Sequence, residues 1–438
     1  MKPQIGKRKL KPSGIDWIGD VPEGWGVVPV KYLTTCNDEV LPENVDSYYE
    51  FDYVEIGDVK YERGITSSER VVFRDAPSRA RRVVRKNDVI ISTVRTYLKA
   101  VASIGDFDFP LIVSTGFAVL RATEVFYRYL YYAVLSQDFQ SQVSLYSKGV
   151  SYPAITSNSL LHIPIRVPSL NEQKRIAAKL DRLCGRVDEL AANLTKEIAA
   201  LQDYRKSLIT ECVTKGLNPK AKMKPSGVEW IGKIPAGWTV MRLKYACSTI
   251  TDGSHFSPEC VDDGYPYVTA TDVRGVGIDF ERTKFVSEAD YQALVATGCG
   301  LKRDDVLMVK DGATTGRVGM MTDDTKAVAL SSVAILRTPE DTDRKFLYWG
   351  LQSDGLQRNI QQTMAGSAMP RITVWKLGQY NIALPSIDEQ KEIVAYLDKH
   401  CAAIDAKIEE RKGQLEKLAE YRSSAIYEYV TGKKEVAA

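Results

Sequence analysis

Few residues in this chain have types and spacings suited to bond-making chemistry. The three histidines, His162, His255 and His400, lie far apart, and the seven cysteines contain no Cys-x-x-Cys pair. This spacing argues against a metal centre and against a disulfide framework. The glycine-rich stretch 312–319 (GATTGRVG) lacks the Gly-Lys-Ser/Thr ending of a phosphate-binding loop and reads as a hairpin loop. No Gly-x-Ser-x-Gly elbow occurs. Asp388-Glu389-Gln390-Lys391 has the look of a nuclease carboxylate-lysine cluster, but a helix-capping role accounts for Glu389, and Asn171 replaces the aspartate in a second copy. Asp304-Asp305 sits at a turn before a strand and is expected to be solvated.

The remaining chemistry is recognition of anions and bases. Residues 60–99 carry eleven Lys and Arg against four acids, whereas 34–58 carry eight acids and no base. Such polarity suits one face that meets phosphates and another that does not. The candidate contacts are Arg63, then Arg95, Thr96, Tyr97 and Lys99 after an Asp88–Val94 strand, then Lys148, Ser151 and Tyr152 before Pro153. In the second half of the chain they are Ser254 and His255, then Lys310, Asp311, Thr314, Thr315 and Arg317, then Ser367 through Arg371. Arginine and lysine neutralise phosphates, and arginine also reads guanine edges.

A duplication positions these groups. Residues 10–32 recur at 223–245, residues 168–181 at 385–398, and residues 204–214 at 421–431. The offset is 213 at the start of the unit and 217 at its end, too long for a solenoid. The middles, roughly 34–165 and 246–382, agree only in skeleton: Asp88-Val89-Ile90 answers Asp305-Val306-Leu307, and Pro153-Ala154-Ile155-Thr156 answers Pro370-Arg371-Ile372-Thr373. One scaffold with two different surfaces is the physical reading.

Two long helices are predicted, each opened by a Ser-x-x-Glu capping box, Ser169/Glu172 and Ser386/Glu389. Ile176, Leu180, Leu183, Val187, Leu190 and Leu194 give the first an apolar seam. Ile393, Leu397, Ile404, Ile408, Leu415 and Leu418 give the second its seam, with His400 and Arg411 interrupting. A helix of about 46 residues is about 69 Å long at 1.5 Å per residue. Matched seams imply pairing, most naturally antiparallel; a parallel pair stays open. The middles read as strand-rich, with one helix each at 124–143 and 341–362. The expected organisation is therefore α+β, with a domain at 1–167, a helix at 168–217, a second domain at 218–384 and a second helix at 385–438.

With 438 residues, 26% of them charged and a net charge of +3, the chain is of ordinary globular composition and no polycation. No stretch is long and apolar enough to span a bilayer, and a cytoplasmic location is expected.

The sequence resembles the DNA-specificity subunits of type I restriction-modification enzymes. The resemblance rests on the repeated KPSG-x-[DE]-W-I-G motif, the P-S-x-x-E-Q-K-x-I helix starts, and middle domains carrying NDVIISTVRTYLKA and TDGSHFSP. It implies two target-recognition domains, each reading half of a split site in double-stranded DNA. It further implies that the helices act as a spacer and dock two modification (methyltransferase) subunits, with two restriction (translocase) subunits completing the complex. No catalytic residue, metal or cofactor is expected in this chain; S-adenosylmethionine, ATP and Mg2+ would act through the other subunits. A scaffold that binds only proteins, and a free-standing nuclease, are the competing readings.

Overall fold

The computed structural model describes residues 9–275, 277–364 and 370–436. The chain forms two compact units, Met1–Leu194 with Gly413–Ala438, and Thr195–Lys412. The long helices run Leu170–Lys215 and Ile387–Val430, and each contributes one part to each unit.

In the first unit a four-stranded antiparallel sheet has the order Val101–Ser103, Val89–Ser92, Phe117–Ala122, Thr34–Cys36. A second sheet orders Glu69–Val72, Glu50–Val54, Leu111–Ser114, Ala80–Val83, with the middle pair parallel. The second unit repeats the first sheet with Val318–Met320, Val306–Val309, Val333–Arg337 and Thr249–Asp252, and again pairs Tyr265–Val268 with Val328–Ala329 in parallel. The central strands read Val-Ile-Ile and Val-Leu-Met-Val because both faces are covered, and all these side chains are buried.

The aspartate before each central strand corrects the expectation of solvation. Asp305 is buried, accepts two bonds from Arg337 at 2.8 Å and one from the Lys302 N–H at 2.9 Å. Asp88 does the same with Arg121 at 3.0 and 2.9 Å and with the Arg85 N–H at 2.8 Å. Each carboxylate closes the turn and ties it to the neighbouring strand's end. Asp304 is the outward member of its pair and meets Arg344 at 2.7 Å.

The helices predicted at 124–143 and 341–362 are each broken. Tyr127–Leu135 and Gln137–Tyr146 flank Ser136, and Arg344–Leu351 and Asp354–Thr363 flank Ser353. At the break the serine hydroxyl bonds back to a carbonyl (Ala133, Gly350), and a glutamine four residues on satisfies another (Gln140 to Val134, Gln357 to Leu351). These bonds meet carbonyls that the helix end leaves unpaired.

The repeated ends bind each other. Trp25 Nε1 donates to Glu172 Oε2 at 3.1 Å, and Trp238 Nε1 to Glu389 Oε2 at 2.9 Å. Next along the helix, Gln173 accepts from the Phe126 N–H at 2.8 Å, and Gln390 from the Asp343 N–H at 2.7 Å. Asp181 holds Tyr132 and Arg128, and Asp398 holds Trp349 and Lys345. The Ser169 and Ser386 hydroxyls accept from the Glu172 and Glu389 N–H groups, as the capping expectation required, while each glutamate carboxylate reaches the tryptophan. The helices stop at Gly216 and Gly432, both with φ of +74°, and each glycine lies against the tryptophan of its own unit.

Within the second unit Glu197 pairs with Arg411 at 3.0 Å and Arg205 with Asp405 at 2.9 Å, so the helices run antiparallel. Within the first, Asp188 meets Arg422 at 2.6 Å. Ile176, Leu180 and Val187 are buried as expected, as are Ile393, Leu397, Ile404 and Ile408; Leu183, Leu194, Leu415 and Leu418 are half-buried. Leu190 departs from the seam and is 51% exposed. The buried stripe follows spacings of four through Cys184, and that drift turns Leu190 outward. Cys401 fills the gap beside His400, whose ring lies 4.0 Å from that of Tyr396.

Asp305→Ala removes the only carboxylate bonded to the half-buried Arg337 among the described residues. We expect a loss of about 3–5 kcal/mol, the cost of breaking a buried pair on one side. Denaturant unfolding of the full chain checks this, and a change below about 1 kcal/mol would show that the pair is dispensable.

Candidate nucleic-acid interface

In the first unit the strand Val89–Ser92 feeds a loop with unusual backbone. Arg95 (φ +51°) and Lys99 (φ +48°) are both left-handed and bracket a single turn, Thr96–Leu98. Non-glycine residues hold this conformation only where their surroundings enforce it. Here the enforcement comes from Thr96, which is buried. Its hydroxyl lies 2.8 Å from that of Ser147, and its N–H bonds Pro153 O at 3.3 Å. Thr96 is thus an anchor rather than the surface contact the sequence suggested.

Anchoring joins two loops. Val94 pairs with Ala154 and Lys148 with Ala154 in backbone bridges, which push Gly149–Pro153 outward as a tight projection. Lys148, Ser151 and Tyr152 are exposed on it, and Val150 is fully exposed. Across from them, Tyr97 is exposed, the Arg95 guanidinium lies 5.4 Å over the Tyr152 ring, and Lys99 lies 5.3 Å over Tyr61. Arg63 is exposed on the hairpin Val59–Lys60 with Gly64–Ile65. Arg79, which the sequence did not single out, joins the group because its carbonyl accepts the Thr115 N–H at 2.8 Å.

The simple division into acidic and basic faces does not hold. Arg70 pairs with Asp52, Arg85 with Glu39, Lys86 with Asp106 and Arg74 with Asp75. Pairing across the two stretches consumes part of each. Arg63, Arg79, Arg95 and Lys148 have no acidic partner among the described residues, and Lys99 faces Glu62 only through space, so these loops carry a concentration of positive charge.

The second unit differs at the same place. Lys310, at the end of the strand Val306–Val309, is buried; its ammonium lies 3.0 Å from Asp311 and 3.3 Å from Asp252. It cannot reach a phosphate without giving up both. His255 is exposed and lies 3.1 Å from Asp252, and the exposed Arg371 lies 3.1 Å from Asp311. Ser254 is buried, and its hydroxyl closes a turn with Phe256. Thr315 bonds Gly312 O and Pro370 O, Arg317 donates to Val273 O, and the Thr314 carbonyl accepts the Arg317 N–H. The stretch 312–319 is the tip of a hairpin, as its composition implied. Ser367 lies outside the described residues. The charges here are paired off within the loops; His255 and Arg371 are exposed, and Asp311, Thr314, Thr315 and Arg317 are half-buried.

Among the described residues no group of three or more metal-ligating side chains gathers. Burial pushes the thiols of Cys212 and Cys247 up to about 12 and those of Cys36 and Cys401 up to about 11, leaving them unreactive at neutral pH. No helix is long and apolar enough to cross a membrane among the described residues.

A family model described as the type I restriction modification DNA specificity domain matches residues 22–200 and 235–417. The chain is 26% identical over 314 residues to the type I restriction enzyme MjaVIII specificity subunit of Methanocaldococcus jannaschii, covering 70% of this chain and 69% of that one. It is 26% identical over 289 residues to the EcoBI specificity subunit of Escherichia coli, covering 64% of this chain and 60% of the relative. A solved structure concerned with complex assembly and conformational transition of the type I restriction-modification system shares the fold, with a TM-score of 0.74, 24% identity, and coverage of 94% and 99%.

The unequal charge of the two loop sets has a direct consequence for DNA binding. Arg95→Ala and Lys99→Ala should each lower the slope of log affinity against log salt by about 1. Lys310→Met should leave that slope unchanged while lowering the melting temperature, because its ammonium is already neutralised. Titrations at several salt concentrations, with melting curves alongside, check both. An equal drop in slope for Lys310→Met would contradict the buried pairing.

Proposed function

The chain belongs to the family of type I restriction-modification DNA specificity proteins, and from that premise we propose that each unit reads one half of a split DNA site. One observation carries this reading. The bonds that build the two units recur at matching positions, while the loops at the ends of the same central strands differ in charge and in which side chains reach the surface. A scaffold held constant beneath two dissimilar surfaces is what recognition of two different half-sequences requires. Phosphate contacts from Arg63, Arg95, Lys99 and Lys148 would orient the first half-site; His255, Thr314 and Arg371 would lie nearest the second.

The chain acts in this reading as a recognition subunit with no chemistry of its own. Cleavage and methylation, with their needs for ATP, Mg2+ and S-adenosylmethionine, fall to restriction and modification subunits, two of each. The long helices would dock the modification subunits. On the first unit, exposed Leu190 and Tyr421 with half-buried Leu183 and Leu418 form an apolar strip edged by Lys179, Arg182 and Arg186, which suits such docking. A cytoplasmic site of action follows from the proposed substrate.

Exchange of residues 34–165 for the matching piece of a relative should alter one half of the recognised sequence and leave the other. Methylome sequencing of cells carrying the chimera reads this out. A change in both halves would refute modular reading, and an absence of sequence-dependent DNA binding in the assembled complex would favour the protein-only scaffold.

The helices are also proposed to set the gap between half-sites. Four residues inserted after Leu194 add about one turn, or about 6 Å. The unspecified spacer should then lengthen by about one or two base pairs, since B-DNA rises about 3.4 Å per pair. Mapping of modified bases decides; an unchanged spacer with full activity would mean that the helices serve docking alone.

A further inference from the structure

The loops of the first unit enclose a hollow of about 450 Å³ lined by Arg79, Val94, Arg95, Thr115, Gly116 and Tyr152. This is ample for a ring system and lies within the range of small-ligand sites. Its floor is rigid. A Cβ on Gly116 would stand 2.7 Å from Ile56 Cδ1 and 3.0 Å from Val94 Cγ2, so the absence of a side chain lets those groups close beneath it. Backbone bonds fix the walls: the Thr93 N–H to Gly116 O at 2.8 Å, and the Thr115 N–H to Arg79 O at 2.8 Å. The rim carries two guanidinium groups without acidic partners among the described residues, and one of them already lies over the Tyr152 ring.

A reader of stacked base pairs must protrude, because their edges lie at the floor of a groove about 8.5 Å deep. A hollow does the reverse and takes in a group that has left the duplex. An aromatic ring with a guanidinium over it is a surface on which a base stacks, and the second guanidinium supplies charge for the phosphate beside that base. The matching place in the second unit is built otherwise. Asp311 takes the position of Val94 in the same bridge and pairs with Arg371, and Ser332 takes that of Gly116.

Resting on the DNA reading above, we propose that this hollow receives one unstacked nucleobase from the half-site bound by the first unit. Extrusion costs unpairing energy, and a mispaired base has less to lose. The test scans that half-site with duplexes carrying one mismatch each, made by altering only the strand opposite the base in question. Affinities for the full chain are measured by anisotropy at fixed salt.

At one position the mismatch should tighten binding several-fold; at the others it should weaken it or leave it unchanged. Tyr152→Ala should abolish that gain and weaken cognate binding roughly 5- to 150-fold, the range that base–aromatic stacking supplies. Tyr152→Phe should keep the gain, and Arg79→Ala should reduce it. Tyr152 and Arg79 are both exposed, so these variants leave the core intact. Sequence-preferential binding with no mismatch gain would overturn the proposal and spare the DNA reading. A gain that survives Tyr152→Ala would overturn it as well. Failure of the wild-type chain to prefer any sequence would bring down both.

Discussion

Everything in each unit hangs on a bond between an indole and a carboxylate. Trp25 to Glu172 and Trp238 to Glu389 join the start of a repeat to the first turn of its long helix, across 147 and 151 residues of chain. An indole N–H that is otherwise buried needs a partner, and a carboxylate at a helix start is favoured by the helix dipole. The two needs meet at one point. The tryptophan then forms the seat for the glycine that ends the other long helix in its unit, so one side chain fixes the beginning of one helix and the end of another. The buried glutamines and the aspartates one and nine residues further along carry the same attachment to the broken helix pair.

Much of this architecture was visible in the residues. The duplication, the central strands and the long helices follow from repeated motifs and from hydrophobic spacing. The orientation of the helix pair did not, because matched seams permit either direction; the ion pairs Glu197–Arg411 and Arg205–Asp405 decide it. The breaks at Ser136 and Ser353 were hidden because apolar periodicity continues through them. The signal was there in the recurring Ser-x-x-x-Gln, whose glutamine meets a helix end instead of continuing a helix. Asp305 misled for a similar reason. An aspartate at a turn is usually solvated, and only the arginine at a strand end 32 residues away turns it inward.

The candidate interface was legible in location but not in role. Pattern alone placed the loops after the central strands and before the Pro153 and Pro370 motifs, and the structure brings those loops together. It could not distinguish Arg95, which reaches the surface, from Thr96, which turns away to anchor the loop. Nor could it reveal that Lys310 sits between two carboxylates. These distinctions depend on contacts with residues 50 or more positions distant, or on aspartates such as Asp252 whose position follows only from strand order. Arg79 escaped notice because it is one of five basic residues between positions 79 and 86, and only the strand pairing shows which of them faces the loops.

The division of the long helices between the units bears on how the chain is made. The second unit is continuous, Thr195–Lys412, whereas the first needs Ile426, Tyr429 and Val430 to finish the core around Trp25 and Tyr129. The Tyr129 hydroxyl even reaches the Val430 carbonyl. A ribosome adding about 5–20 residues per second leaves the early half waiting on the order of tens of seconds for those side chains. The later-made unit therefore completes itself before the earlier one. Until those turns emerge, the nascent chain leaves open the apolar face that Ile426, Tyr429 and Val430 will cover.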